Sequence, residues 1–187
     1  PGAPVDRGPE PPTARPDDTV RAERRLALLM EANRAILGEL SLNAVLRQIA
    51  LSARELVDAR YAALGVLGAA GEPVEFIHVG MDDDVVERIG APPRGLGLLG
   101  VLVDDPRPLR LDRISEDPRR AGFPEHHPTM ETFLGVPVKV RDAVYGNLYL
   151  GGRADGGPFT EEDEATIAAL GATAGIAIEN ARLYEDS

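Results

Sequence analysis

The residues best equipped for chemistry in this chain are two adjacent histidines, His126 and His127, in a turn-rich run from Gly122 to Val138 that feeds a strand. Imidazole is a ligand for zinc and for haem iron, so the run is a candidate metal site. The chain has three histidines and no cysteine. That composition removes disulfides, iron–sulfur clusters, thiolate zinc sites, thiol catalysis and haem attached through a Cys-x-x-Cys-His motif. Zinc needs three or four converging ligands, and only His78, His126 and His127 stand on the nitrogen side, so zinc is disfavoured. Neighbouring side chains point apart, which keeps His126 and His127 from sharing one ion. His78 shares a strand face with Phe76 and Val74, where a partly buried, hydrogen-bonded histidine or a residue tuning a nearby cofactor would both fit.

Two further motifs compete for chemistry. Asp82-Asp83-Asp84 lacks the alternation of a calcium loop and reads as the acidic first turn of a short helix carrying Val85, Val86 and Ile89. Gly95-Leu-Gly97-Leu-Leu-Gly100 matches the dinucleotide fingerprint G-x-G-x-x-G. That fingerprint follows a strand and opens a long helix, whereas here Ala91-Pro92-Pro93-Arg94 precedes it and Asp104-Asp105-Pro106 ends any helix within about two turns. The motif reads instead as a short helix whose free N–H groups around Gly97, with Arg94, face an anionic group.

These residues need a scaffold, and the hydrophobic periodicity supplies one. Residues 1–18 hold six prolines and few apolar side chains, which predicts a disordered linker or tail. Residues 19–187 read as a single domain. Leu26, Leu29, Ile36 and Leu40 recur at helical spacing with Asn33 in the gap, as in a surface helix or the register-fixing seam of a helix dimer. Ser41 is a natural N-cap for a second helix with Leu42, Val45, Leu46, Ile49, Ala53, Leu56 and Val57 on one stripe. Strands follow at Tyr61–Leu67, Val74–Val79, Leu109–Asp112, Phe133–Val140 and Val144–Leu150, the last two joined by a tight turn at Arg141-Asp142-Ala143. Leu134, Val136 and Val138 fill one face, and Phe133, Gly135 and Pro137 are non-polar on the other, so both sheet faces are covered. Leu148 and Leu150 point one way, leaving Tyr145, Asn147, Tyr149 and Gly151 opposite. A buried tyrosine there needs a partner for its hydroxyl, either a ligand or a backbone carbonyl. The closing helix starts at the Thr160 cap with Asp163 in capping-box spacing, and Gly171 and Gly175 thin one of its faces. The fold class is α+β: an antiparallel sheet with terminal helices packed on one face and loops roofing a ligand pocket on the other.

The formal net charge of −11 over 187 residues repels phosphate backbones and anionic lipid, so neither nucleic acid nor a membrane surface is an expected partner. No apolar run approaches the roughly 20 residues of a membrane span, and no signal-peptide pattern opens the chain, which predicts a cytoplasmic protein. A start at Pro1 and an end inside a helical pattern read as a piece of a longer chain.

The runs Ala59–Val66, Pro93–Gly100, Asp105–Asp112, Phe133–Val138, Gly146–Leu150 and Ala174–Tyr184 resemble a GAF domain. They are similar in particular to the first, haem-binding GAF domain of actinobacterial oxygen- and redox-sensing histidine kinases, the dormancy-regulon sensors of mycobacteria. In that family the proximal ligand is the histidine of a His-Pro-x-Met-x-x-Phe-Leu-Gly-Val-Pro-Val run. The resemblance therefore assigns haem iron to His127 in His127-Pro-Thr-Met-Glu-Thr-Phe-Leu-Gly-Val-Pro-Val138. It likewise assigns the distal position, facing a bound gas, to Tyr149 in Gly146-Asn-Leu-Tyr-Leu150. Pro128-Thr129 departs from the family's Pro-Pro, and Gly151-Gly152 departs from its distal wall. Phe123, Met130, Phe133 and Leu134 would offer apolar contacts to a non-covalent haem b. The resemblance implies a sensor of O2, NO, CO or redox state, a kinase module elsewhere in the same protein, a homodimer, and no catalysis by this fragment. A haem-free GAF domain that relays signals through dimerisation, or binds another metabolite, is the alternative.

Overall fold

The computed structural model describes Gly2 and residues 15–39, 41–68, 70–82, 97–117 and 131–185. Helix α1 spans Pro16–Leu37, so Pro16, Asp17 and Asp18, expected at the end of a tail, form its first turn. The reason is local: proline tolerates the first helical position, and two carboxylates complement the positive end of the helix dipole. The rest of the expected tail lies outside the described residues. Ile36 and Ala32 are buried and Leu29 packs on the same core, while Leu26, Met30 and Leu37 stay exposed. Part of the expected α1 stripe is thus used within the domain, against helix α2 (Leu42–Leu56) and the closing helix. Ser41 occupies the cap position of α2 but its hydroxyl makes no capping bond.

Strands β1 (Ala59–Leu67), β2 (Pro73–Val79), β3 (Leu109–Leu111), β4 (Phe133–Val140) and β5 (Ala143–Arg153) form a sheet in the order β2-β1-β5-β4-β3. Every neighbouring pair is antiparallel. Helix α3 (Gly97–Asp104) and a 3-10 turn at Ile114–Glu116 precede β4, and helix α4 (Glu161–Glu185) closes the described chain. Among the described residues no helix is long and apolar enough to cross a membrane.

The main core lies between the sheet and the helices. Leu64, Leu134, Val136, Val138, Leu148 and Leu150 meet Leu46 and Ile49 of α2 and Ile167, Leu170 and Ile178 of α4. Leucines at even positions of β4 and β5 reach this layer because strand side chains alternate. Helix α4 lies close to β4 because Gly171 and Gly175 carry no side chain: a Cβ on Gly171 would stand 3.3 Å from the Pro137 carbonyl oxygen. On Gly175 it would stand 2.7 Å from Val140 Cγ2 and 3.1 Å from the Lys139 carbonyl oxygen.

The start of α4 is fastened by Asp163, which is 2 % exposed. Its N–H donates to Thr160 Oγ1 at 3.1 Å while its Oδ2 accepts from the Thr160 N–H at 2.9 Å. This is the reciprocal cap the spacing predicts. The same carboxylate meets Arg153 of β5 at 3.4 Å and Arg25 of α1 at 3.7 Å. One buried acid therefore joins three elements.

The register slips at two places, between Val66 and Leu67 where β1 pairs with β2 and between Val138 and Lys139 where β4 pairs with β5. Val138 pairs with Gly146 and Lys139 with Val144, so Tyr145 is the extra residue of a β-bulge. A bulge reverses the side-chain parity of the strand on either side of it. Tyr145, expected beside Asn147 and Tyr149, packs instead on the helix-side core, with the Arg182 guanidinium of α4 5.6 Å from its ring centre.

Candidate ligand-binding site

On the sheet face away from α2 and α4 the register sets out three rows. His78, Ala63, Tyr149, Gly135 and Leu109 lie side by side in one. Phe76, Gly65, Asn147 and Pro137 form the next. On the other side of Tyr149 stand Tyr61, Gly151, Phe133 and Leu111. Tyr149 is therefore the one large side chain between two small neighbours, Ala63 and Gly135.

A second, smaller apolar cluster covers this face: Tyr149, Phe133, Leu102 of α3 and Ile114, with Ala63, Phe76, Leu109 and Leu111 against it. Ring centres of Phe76 and Phe133 lie 6.5 and 6.2 Å from that of Tyr149, in tilted contacts, a favourable range for aromatic pairs. Leu102 fills the space above Gly135, where a Cβ would come within 2.8 Å of its Cδ1.

The polar atoms among these apolar groups point to chemistry. Burial raises the Tyr149 pKa to about 12, with the Asn147 amide acting the other way. The hydroxyl is thus neutral near pH 7, able to donate a hydrogen bond. Asn147 is 1 % exposed, and among the described residues neither its Oδ1 nor its Nδ2 has a hydrogen bond of good geometry. His78 Nδ1 is likewise buried without a partner among the described residues. Buried polar atoms in folded proteins nearly always have partners, so each exception calls for an explanation, such as a bound water or ion or a functional role.

Of the residues singled out from the sequence, the sheet brings together Tyr149, Phe133 and His78 on this face. Leu134 is not among them: alternation places it in the helix-side core, completely buried. It can offer no surface to a ligand in front of Tyr149. Gly97 opens α3, the helix that carries Leu102. His127, His126, Phe123, Met130 and Arg94, and all but Asp82 of the expected acidic helix, lie outside the described residues. Among the described residues no group of three or more His, Cys, Asp or Glu could hold a metal ion. Alternation puts Asn147 on the face of Tyr149 and Phe76 on that of His78, but neither stands out from the sequence as a site residue, and Leu102 is not placed there by the sequence at all. For Asn147 the signal was available, since it lies two positions from Tyr149 on the same strand face.

Known proteins share this architecture. Residues 39–179 match the family described as GAF domain. The chain is similar to the probable 3',5'-cyclic phosphodiesterase pde-5 of Caenorhabditis elegans, at 24% identity over 90% of this chain. It spans only 25% of that relative's length. Among solved structures, the GAF domain of a phosphoenolpyruvate-protein phosphotransferase from Coxiella burnetii superposes with a TM-score of 0.74 at 22% identity, covering 89% of this chain and 99% of that one. The GAF domain of a putative sensor histidine kinase from Pseudomonas syringae pv. tomato gives a TM-score of 0.61 at 17% identity, covering 91% and 95%. At such identities the solved structures speak for the fold alone.

Proposed function

Since this chain belongs to the GAF domain family, which matches it over residues 39–179, we propose that it is a cytoplasmic haem b sensor module that regulates a histidine kinase and has no catalytic activity of its own. The observation that carries this reading is Tyr149: a buried, neutral hydroxyl on the sheet face away from the helices, between Phe76 and Phe133. A wall of aromatic and aliphatic side chains with a few polar groups fits a flat, largely apolar cofactor. His127 would hold the iron, with Phe123 and Met130 nearby in sequence and Phe133 on the wall. When bound, haem supplies an iron centre that takes up O2, NO, CO or an electron. Tyr149 donates a hydrogen bond toward the space before the sheet, and the surrounding apolar groups keep water out. Phe133 and Gly135 belong to β4, whose opposite side touches α4 through Gly171 and Gly175. A shift of β4 on ligand uptake therefore moves a terminal helix and biases the kinase between two states.

The test is an absorption spectrum of the haem-reconstituted chain, oxidised and reduced, beside His127→Ala. Binding through His127 shifts the Soret band and the substitution abolishes that shift. An unshifted band, or identical spectra for both proteins, overturns the haem assignment.

A second reading is favoured by Leu102, whose side chain occupies the space above Gly135. In it the outer face is simply packed, and the domain relays signals as a homodimer through α1 and α4, which expose Leu26, Met30, Leu37, Ile176 and Leu183. Light scattering over a wide concentration range separates the two parts of that proposal: a monomer throughout removes the dimer.

A further inference from the structure

Asn147 is buried, polar at both ends and, among the described residues, without a hydrogen bond of good geometry, on the sheet face that carries Tyr149. Leaving an amide in that condition costs free energy comparable to a lost hydrogen bond, so its retention calls for a role. The geometry gives one. Tyr149 pairs across the sheet with Ala63, whereas Gly65 is the partner of Asn147. Yet a Cβ on Gly65 would meet the Tyr149 ring at 3.4 Å and its hydroxyl oxygen at 3.8 Å. The ring therefore leans out of its own row, over the glycine, toward the amide of Asn147. Gly65 leaves room for the lean: a methyl there would rest against the ring at ordinary contact distance, and a longer side chain would compete with the ring and hydroxyl for the space they use.

We infer that Asn147 is a positioning residue for Tyr149: its Nδ2 donates to the phenolic oxygen, so that the hydroxyl proton points outward to a ligand in front of the sheet. A phenol that accepts one hydrogen bond keeps its single proton for another partner. If the amide oxygen faced the phenol instead, that proton would be turned inward and the ligand would meet only an acceptor. The orientation of one amide thus decides whether the site offers a donor. A donating nitrogen also accords with the downward pull that Asn147 exerts on the Tyr149 pKa against the upward push of burial.

The inference deepens the proposed function in one respect, since it rests on Tyr149 facing the ligand, and its test separates the two. On the haem-free, 15N-labelled chain, the side-chain amide signals of Asn147 are identified by their loss in Asn147→Leu and then followed in Tyr149→Phe. They are expected to shift, and signals that stay in place overturn the inference. On the haem-loaded chain, release of carbon monoxide is expected to speed up about fivefold in Asn147→Leu, the equivalent of one ordinary hydrogen bond. Tyr149→Phe should do the same, and the double variant should be no faster than either single one. Unchanged release in Asn147→Leu alongside faster release in Tyr149→Phe also overturns the inference. If Asn147→Leu does not fold, the Tyr149→Phe spectrum decides alone, with the Asn147 signals assigned through the backbone. A shift in the haem-free spectrum from a chain that takes up no haem upholds the Asn147 contact and defeats the haem reading.

Discussion

Replacing Asp163 by alanine removes the fastening between α4, β5 and α1 in one step. Loss of an N-cap partner costs about 1 kcal/mol. The contact to Arg153 at 3.4 Å is charge-assisted, and such bonds contribute roughly 1.5–3 kcal/mol. Arg25, at 3.7 Å, sits on a side chain still reached by solvent and adds at most about 0.5 kcal/mol. The expected total is about 3–4 kcal/mol, a large share of the roughly 5–15 kcal/mol that holds a domain folded. With a urea slope of about 2 kcal/mol/M, the denaturation midpoint should fall by about 1.5–2 M. Asp163→Asn keeps an oxygen for the Thr160 N–H and gives up only the charge, so it should lose about half as much. Adding Asp163→Ala to Arg153→Met should cost clearly less than the two separately, because they share one contact. Equal losses for the alanine and asparagine variants, strict additivity with Arg153→Met, or a loss below about 1 kcal/mol would refute the account.

Tyr149 makes stability depend on alkaline pH. Its folded pKa of about 12 lies above the unfolded value near 10, so between those values the native state holds the proton more tightly. Stability is complete below pH 10 and falls by about 1.4 kcal/mol per unit as pH rises toward 12. From pH 9 to 11 the urea midpoint of wild type should fall relative to that of Tyr149→Phe, and parallel curves would count against the burial argument. Gly175→Ala should destabilise by about 1–3 kcal/mol through overpacking, since its Cβ meets the stiff Val140 and the Lys139 backbone. Gly171→Ala meets one carbonyl oxygen at 3.3 Å and should cost less; thermal melts of the two variants check the order.

Much of the fold was legible in the sequence because alternation and helical period are local signals. The run from Phe133 to Val138, apolar on both faces, announced a strand covered on both sides, and these six residues are buried. Thr160 and Asp163 announced the start of α4, because a reciprocal cap is written in residues three apart. What escaped was set by contacts distant in sequence. The bulge at Tyr145 leaves no mark in composition, since only the pairing of β4 with β5 shows which residue is extra. Asn33 fits a surface helix or a dimer seam by spacing alone; its Oδ1 is buried without a partner among the described residues, and Ile36 and Leu29 beside it pack within the core of the same chain. Leu102 could not be anticipated above Gly135, because nothing in either segment reports the other. For the site, the strand pattern put Tyr149 on the outer face, while the unpaired amide of Asn147 became visible only once its surroundings were known.

The contact between α4 and β4 has a mechanical consequence. Where helices rest on sheets through leucine and isoleucine, a small displacement of one layer is absorbed by side chains that change rotamer. At Gly171 and Gly175 there are no side chains to yield, and the helix backbone lies directly over the carbonyl groups of Pro137 and Lys139. The joint acts as a stiff spacer with little backlash. A displacement of β4 by a few tenths of an ångström would pass into α4 undiminished, and the long helix would carry it to its far end.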